Sequence, residues 1–288
     1  MDPGKDQPNF GEILGVPGGA KGEPIRPEVE GPIKELQKGL AEGPEFNFLA
    51  TTVQESEIGL RQAVIDLKEL LKVYASGLSD HATYAALTVQ LDLALPVVYR
   101  HYDAYVEAVL KTGREKVTCA RACTHCCSHY VTSVEPYELL FLHGHIRKES
   151  RYPDRLIALH KRVTQFKGLL KGGFNEDEQA ADEDKALYRY YLRGQPCPFL
   201  TVSGECGVYE NRPMSCRMFF SMSHPSLCKG KSVISPGNRN FLIELPEDIE
   251  ADLARAGTLF ACFDFPESLF EGLLAVNETF GQFDNGDL

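Results

Sequence analysis

Thiols dominate the chemistry that this sequence can do. Eight of its nine cysteines fall in two blocks: Cys119, Cys123, Cys126 and Cys127 in CARACTHCC, then Cys197, Cys206, Cys216 and Cys228. Thiolates are soft, charged ligands that satisfy zinc, or iron in iron–sulfur clusters. Four close a tetrahedral site, so eight can fill two sites, or fill one and support another. The Cys123-x-x-Cys126 step is a common ligand spacing that carries little alone. With Cys119, Cys127 and four more thiols downstream it becomes a constellation. Buried structural cysteines do not collect at such density. A disulfide framework wants an export signal, and the N-terminus MDPGKDQPNFGEILG lacks the basic-then-apolar order of one. All eight are therefore expected to serve a metal centre.

Adjacent Cys126 and Cys127 carry a further expectation. In an extended segment successive side chains point to opposite sides, so the two would serve different metals, or one would ligate while the other packs or reacts. Zinc sites often use paired short knuckles, and only the first block has one. The wide spacing of the second block suits a larger cluster reached from several loops, and iron–sulfur and zinc both stay open. Cys262, in LFACFDFP, reads as a small buried apolar residue.

Around the thiols, His125, His129 and His224 are expected in hydrogen-bonding or surface roles rather than as ligands. His143 and His145 are two apart on a helix and do not share a face, so they are not a ligand pair. Arg212 and Arg217 lie inside the second block. They either pair with local acids such as Glu210, or offset thiolate charge as outer donors to the centre, or grip an anionic substrate. No Ser-His-Asp order or paired-carboxylate motif stands out.

The elements that must hold these residues are helical. Leu60, Val64, Leu67, Leu71 and Tyr74 keep helix-face spacing, and Tyr84, Leu87, Leu91 and Leu95 repeat it after a cap at Ser79 or Asp80. Pro96 is expected to kink or restart that second helix, which closes at Thr112-Gly113. Thr132 and Glu135 have capping-box spacing before a helix over Tyr137, Leu140, Phe141 and His145. Further helices are expected over about 153–170, to Arg193, over 246–259 and over 266–276. The acidic run 176–184 reads as a solvated stretch. Between Cys197 and Tyr209 a hairpin is expected, turning at Ser203-Gly204, and Asn211 should cap a short helix with Pro213 in its first turn. The fold class is mainly α: a helical body around a loop-rich cysteine-ligated centre with at most a short β-hairpin. In order, this gives a flexible Pro/Gly-rich arm over 1–48, a helical hairpin over 49–114, a cysteine region with a helical insertion over 115–235, and C-terminal helices over 236–288.

Composition sets limits. The chain has 288 residues and a formal net charge of −11, which opposes nucleic acid and anionic membrane as main partners. No apolar run approaches a membrane span, and nine cysteines without an export signal suit a reducing compartment. The expectations are a cytoplasmic protein with a protein or redox partner, no nucleic acid and no membrane.

At its cysteines the chain resembles the YkgJ family of cysteine-cluster proteins, whose shared region is a zinc- or iron-chelating CxxCxxCC-type domain. The matching features are CARACTHCC, the helix opening over Val131 to Leu140 with Glu135, CPFL from Cys197, CGVYENRP from Cys206, CRMFF from Cys216, and Cys228. They cover about residues 115 to 230. The resemblance implies a metal or iron–sulfur centre held by the matching cysteines. Flagellin lysine N-methylases have a similar region, which implies that such a centre can support methyl transfer from S-adenosylmethionine; this chain shows no glycine-rich nucleotide loop. Three functions are consistent with these readings. One is an iron–sulfur or zinc metalloprotein with a redox or partner-modifying role. The others are a structural zinc interaction module and an S-adenosylmethionine-dependent protein lysine methyltransferase-like enzyme.

Overall fold

A computed structural model describes residues 44–75, 78, 81–113, 116–120, 122–170, 179–230 and 238–281. Most of the expected N-terminal arm and the cap at Ser79 or Asp80 lie outside the described residues. The architecture is mainly α, with one two-stranded sheet among the described residues.

Two 32-residue helices, α1 (Pro44–Ala75) and α2 (His81–Thr112), pack side by side as a hairpin. The first begins at Pro44, well before the periodic residues. Leu60, Val64, Leu67 and Leu71 of α1 and Tyr84, Leu87, Leu91 and Leu95 of α2 are buried in one core. At Gly59 the helices approach so closely that a Cβ there would lie 2.7 Å from His101 Nδ1. Pro96 neither restarts nor ends α2. A proline inside a helix costs about 3 kcal/mol, but burying a large apolar side chain returns about 1.5–3 kcal/mol. Leu95, Val98 and Tyr99 are all buried around it, so packing outweighs the lost hydrogen bond. Contrary to the expectation from sequence, α2 is long and apolar enough over Ala82–Thr112 to cross a membrane by length and composition. Its apolar face is spent on the core.

Helix α3 (Pro136–Ile146) is buried along most of its length. It contacts α2 and the last helix, α7 (Leu269–Phe280). Its start corrects the expected Thr132–Glu135 box. Glu135 is the cap, Pro136 fills the first turn, and the Glu138 carboxylate accepts the Glu135 N–H at 3.3 Å. Proline at the first helical position fixes φ there, which moves the box three residues on. Helix α4 (Tyr152–Leu170) buries Leu159, Val163 and Phe166 against α5 (Gln179–Leu192) and α7. The described part of the acidic run therefore opens α5 rather than a loose stretch. Tyr130 ties these elements together: it stacks on Phe166 at 3.9 Å and meets Tyr190 and Phe270 edge-on, both at 5.3 Å. Helix α6 (Glu247–Thr258) lies on α1, pinned by Lys68 Nζ to Asp252 at 2.7 Å and by an Arg61–Asp248 pair.

The sheet is small. Strand β1 (Phe219–Ser221) pairs antiparallel with β2 (Asn240–Leu242), with Phe219 opposite Leu242, Phe220 opposite Phe241 and Ser221 opposite Asn240. It is separate from the hairpin expected at 197–209, which forms in miniature as a Leu200–Cys206 antiparallel bridge with Thr201 N–H to the Glu205 carbonyl at 2.8 Å.

Candidate metal centre

The first cysteine block runs beside β1. Thr118 N–H donates to the Ser221 carbonyl at 2.8 Å, and Ser221 N–H donates back to Cys119 Sγ at 3.3 Å. Cys228 comes to the same rung from the other side, its Sγ 3.6 Å from Oδ1 of Asn240, the register partner of Ser221. One sheet rung thus positions two thiols a hundred residues apart in the chain. Tyr191 fastens the far end by donating its hydroxyl to the Cys228 carbonyl, and His129 stacks on that ring at 4.3 Å.

Between Cys119 and Cys123 the backbone takes a left-handed step at Ala122, φ 63°, which costs an L-residue roughly 1–2 kcal/mol. Cys123 N–H closes a turn on the Ala120 carbonyl at 3.0 Å. Cys126 and Cys127 then sit in a short 3₁₀ turn, Cys126–Ser128, not in an extended segment. Successive side chains there are about a third of a turn apart rather than opposed, and the two thiols hydrogen-bond to each other.

The second block opens with two turns that each begin at a cysteine. Leu200 N–H closes on the Cys197 carbonyl at 3.1 Å, and Tyr209 N–H closes on the Cys206 carbonyl at 3.3 Å. The two turns are tied by the Leu200–Cys206 bridge and by Gly207 N–H to the Phe199 carbonyl at 2.8 Å. Gly204 makes the connecting bend with φ 80°, a value suited to glycine. The Phe199 and Val208 N–H groups donate to the Cys197 and Cys206 sulfurs, which favours thiolate at both.

Cys216 ends a third turn, Met214–Cys216. Here Pro213 is the cap, not Asn211, which instead ends the preceding Tyr209–Asn211 turn. Two buried charged residues hold this turn on the helical body. Glu138 accepts Met214 N–H at 2.8 Å and the Tyr99 hydroxyl at 2.9 Å. Arg217 donates to the carbonyls of Arg212 at 3.0 Å and Glu210 at 2.5 Å, pairs with Asp103 at 2.7 Å, and lies over the Tyr99 ring. Its role is to brace the backbone; the acid it meets is Asp103 of α2 rather than a neighbour in the loop. Glu138 was missed in the sequence, where a lone carboxylate inside the apolar run YELLFL was the available signal.

The thiols share one electrostatic environment. Burial pushes Cys197 up to about 12, and pushes Cys216 well above the ordinary thiol range with Cys197, Cys126 and Cys206 adding to it. Cys206 is raised by burial against the fields of Arg212 and Arg155. Cys119 and Cys228 are raised by burial, each with added repulsion from Cys123 and Cys126. The hydrogen bond to Cys127, then burial, raises Cys126. Cys126 has an exposed residue surface, yet its sulfur is crowded, and that crowding governs its acidity.

Among the described residues, no three His, Cys, Asp or Glu side chains are already gathered as a cage for one ion. The fit to a metal rests on donor chemistry. Crowded thiolates repel each other unless a cation joins them. Among the described residues, Arg162 Nε, Arg212 Nε and Ser215 Oγ are buried with no hydrogen-bond partner. Arg162 faces Cys197, Arg212 faces Cys126, Cys206 and Cys216, and Ser215 adjoins Cys216. Buried donors without acceptors are costly, and metal-bound thiolates supply the missing acceptors. By this criterion the donor set fits zinc or an iron–sulfur centre.

His125 and His129 cap the two ends of the Cys126–Ser128 turn. His224 Nδ1 accepts Ser226 N–H at the start of the Pro225–Cys228 turn. Burial lowers His129 to about 4, which keeps it neutral against Tyr191. His143 is buried between the hydroxyls of Tyr84 at 2.7 Å and Tyr152 at 2.8 Å, while His145 lies 3.1 Å from Asp92. Cys262 is exposed, on the Ala261–Phe263 turn, so it is not the buried apolar residue expected. That turn ends at Asp264, which takes a left-handed φ of 48°.

Residues 118–233 match the family model CxxCxxCC, described as "Putative zinc- or iron-chelating domain". No curated protein and no solved structure matches the chain.

Proposed function

The chain carries a cysteine-cluster region of the CxxCxxCC zinc- or iron-chelating family, and from that premise we propose that it is a metalloprotein whose centre exchanges electrons or ligands with a partner in a reducing compartment. One observation carries this reading. The cysteine turns are anchored on a buried side by Glu138 and Arg217, while Cys119 keeps an exposed surface. A centre used only to staple helices gains nothing from an open face; one that meets a partner needs it. A bound iron–sulfur centre would supply reversible electron transfer there. The protein's own part is to hold thiolates in N–H-lined turns and surround them with guanidinium charge.

The test is metal and inorganic sulfide content of anaerobically purified protein, followed by reductive titration. Bound iron and sulfide with reversible bleaching support the reading. Stoichiometric zinc without sulfide, inert to reductant and to added ligands, sinks it. A structural zinc module is the second reading. It is favoured by the lack of regular structure over 197–217, where three short turns and one bridge would be held together by the metal.

A further inference from the structure

The eight thiols divide by position into two subsets. Cys197, Cys206 and Cys216 start or end the three turns of the second block, and each of the six pairings among them and Cys126 is close enough for mutual electrostatic influence. Arg212 faces Cys126, Cys206 and Cys216 alike, with its buried Nε unpaired. Cys119 and Cys228 flank the Ser221–Asn240 rung, and each lies within reach of Cys123. Cys126 also neighbours Cys119 and Cys228, but it pairs with every member of the first subset and shares its arginine. Cys127 is hydrogen-bonded to the Cys126 sulfur. Cys127 enters neither the surroundings of Cys119 and Cys228 nor the turns of the second block, so it is left outside both sets.

We propose that the region holds two metal centres: a closed one on Cys126, Cys197, Cys206 and Cys216, and an open one on Cys119, Cys123 and Cys228 whose fourth position takes an exogenous monodentate donor. The proposal rests on the metal-binding reading above and deepens it. Four thiolates with Arg155, Arg162 and Arg212 around them give a saturated site suited to holding. Three thiolates beside the sheet edge, with the exposed Cys119 among them, leave a metal one ligand short. That site is suited to exchange.

Cobalt(II) is the probe, added anaerobically to full-length protein stripped of metal, with imidazole as the exogenous donor. The wild type should take two equivalents, with imidazole shifting the visible bands of one of them only. Cys197→Ala/Cys216→Ala should keep one equivalent, sensitive to imidazole. Cys119→Ala/Cys228→Ala should keep one equivalent with a four-thiolate spectrum that imidazole does not change. Cys127→Ala should keep both equivalents. A single equivalent in wild type, or loss of all cobalt from both double variants while their helical dichroism is intact, would overturn the division. Loss of one equivalent in Cys127→Ala, or wild-type bands that ignore imidazole, would overturn the open position. If the double variants unfold, wild-type stoichiometry and its imidazole response still decide the matter. Wild-type protein that takes no cobalt, zinc or iron would instead refute the metal-binding reading itself.

Discussion

At the residue scale, two glutamates at the start of α3, buried Glu138 and half-buried Glu135, do different work. Glu138 is a satisfied acceptor: removing it in Glu138→Ala strands the Met214 N–H and the Tyr99 hydroxyl inside the protein. Each orphaned group costs about 1–3 kcal/mol, so a loss of about 3 kcal/mol is expected in urea denaturation, with weaker metal binding because Met214 opens the Cys216 turn. Glu138→Gln keeps an acceptor oxygen and should lose less than half of that. Glu135 is a strained acid. Burial, with the charges of Glu138 and Glu267 behind it, raises it from 4.5 to about 8. Its folded form holds the proton more tightly than the unfolded chain. Its contribution to stability is therefore fully present below about pH 4.5 and is lost as pH rises through 8. Stability measured from pH 5 to 8 should fall with pH in the wild type, and Glu135→Gln should flatten that slope.

At the element scale, what was legible in the sequence followed local rules. Apolar spacing gave the helices, and Ser203-Gly204 gave the bend between Cys197 and Cys206, where Gly204 takes φ 80°. What escaped depended on contacts distant in the chain. Pro96 stays inside α2 because its neighbours are buried, and the three-residue strands β1 and β2 carry no periodic signal long enough to read. The cysteines were legible as the signature of a zinc- or iron-chelating region, whereas the neighbours each thiol keeps in the fold needed the Ser221–Asn240 rung and the turn geometry. The α3–α7 contact shows how little slack the body has. A Cβ on Gly272 would fall 2.6 Å from the Pro266 carbonyl and clash with the Leu139 side chain. Gly272→Ala is expected to cost about 1–3 kcal/mol, read as a lower urea midpoint at unchanged m-value, because backbone oxygen cannot swing aside.

At the scale of the whole molecule, one apolar core joins α1 through α7, while the thiol turns lie on it as an attached layer. Chelating the metal should therefore spare most of the far-ultraviolet helical signal but open residues 197–228 to protease. Limited proteolysis with mass spectrometry, with and without chelator, checks this; equal protection in both states would count against a metal that orders the layer. The shared rung has a further consequence, for the order in which the chain is made. Cys119 emerges from the ribosome with neither Ser221 nor Cys228 yet synthesised. At about 5–20 residues per second the gap lasts on the order of 5–20 seconds. Through that interval the first four thiols are exposed on an unfinished chain, free to meet oxidants or the wrong ion. A metal bound across this rung would load late, on a finished fold rather than on a nascent knuckle.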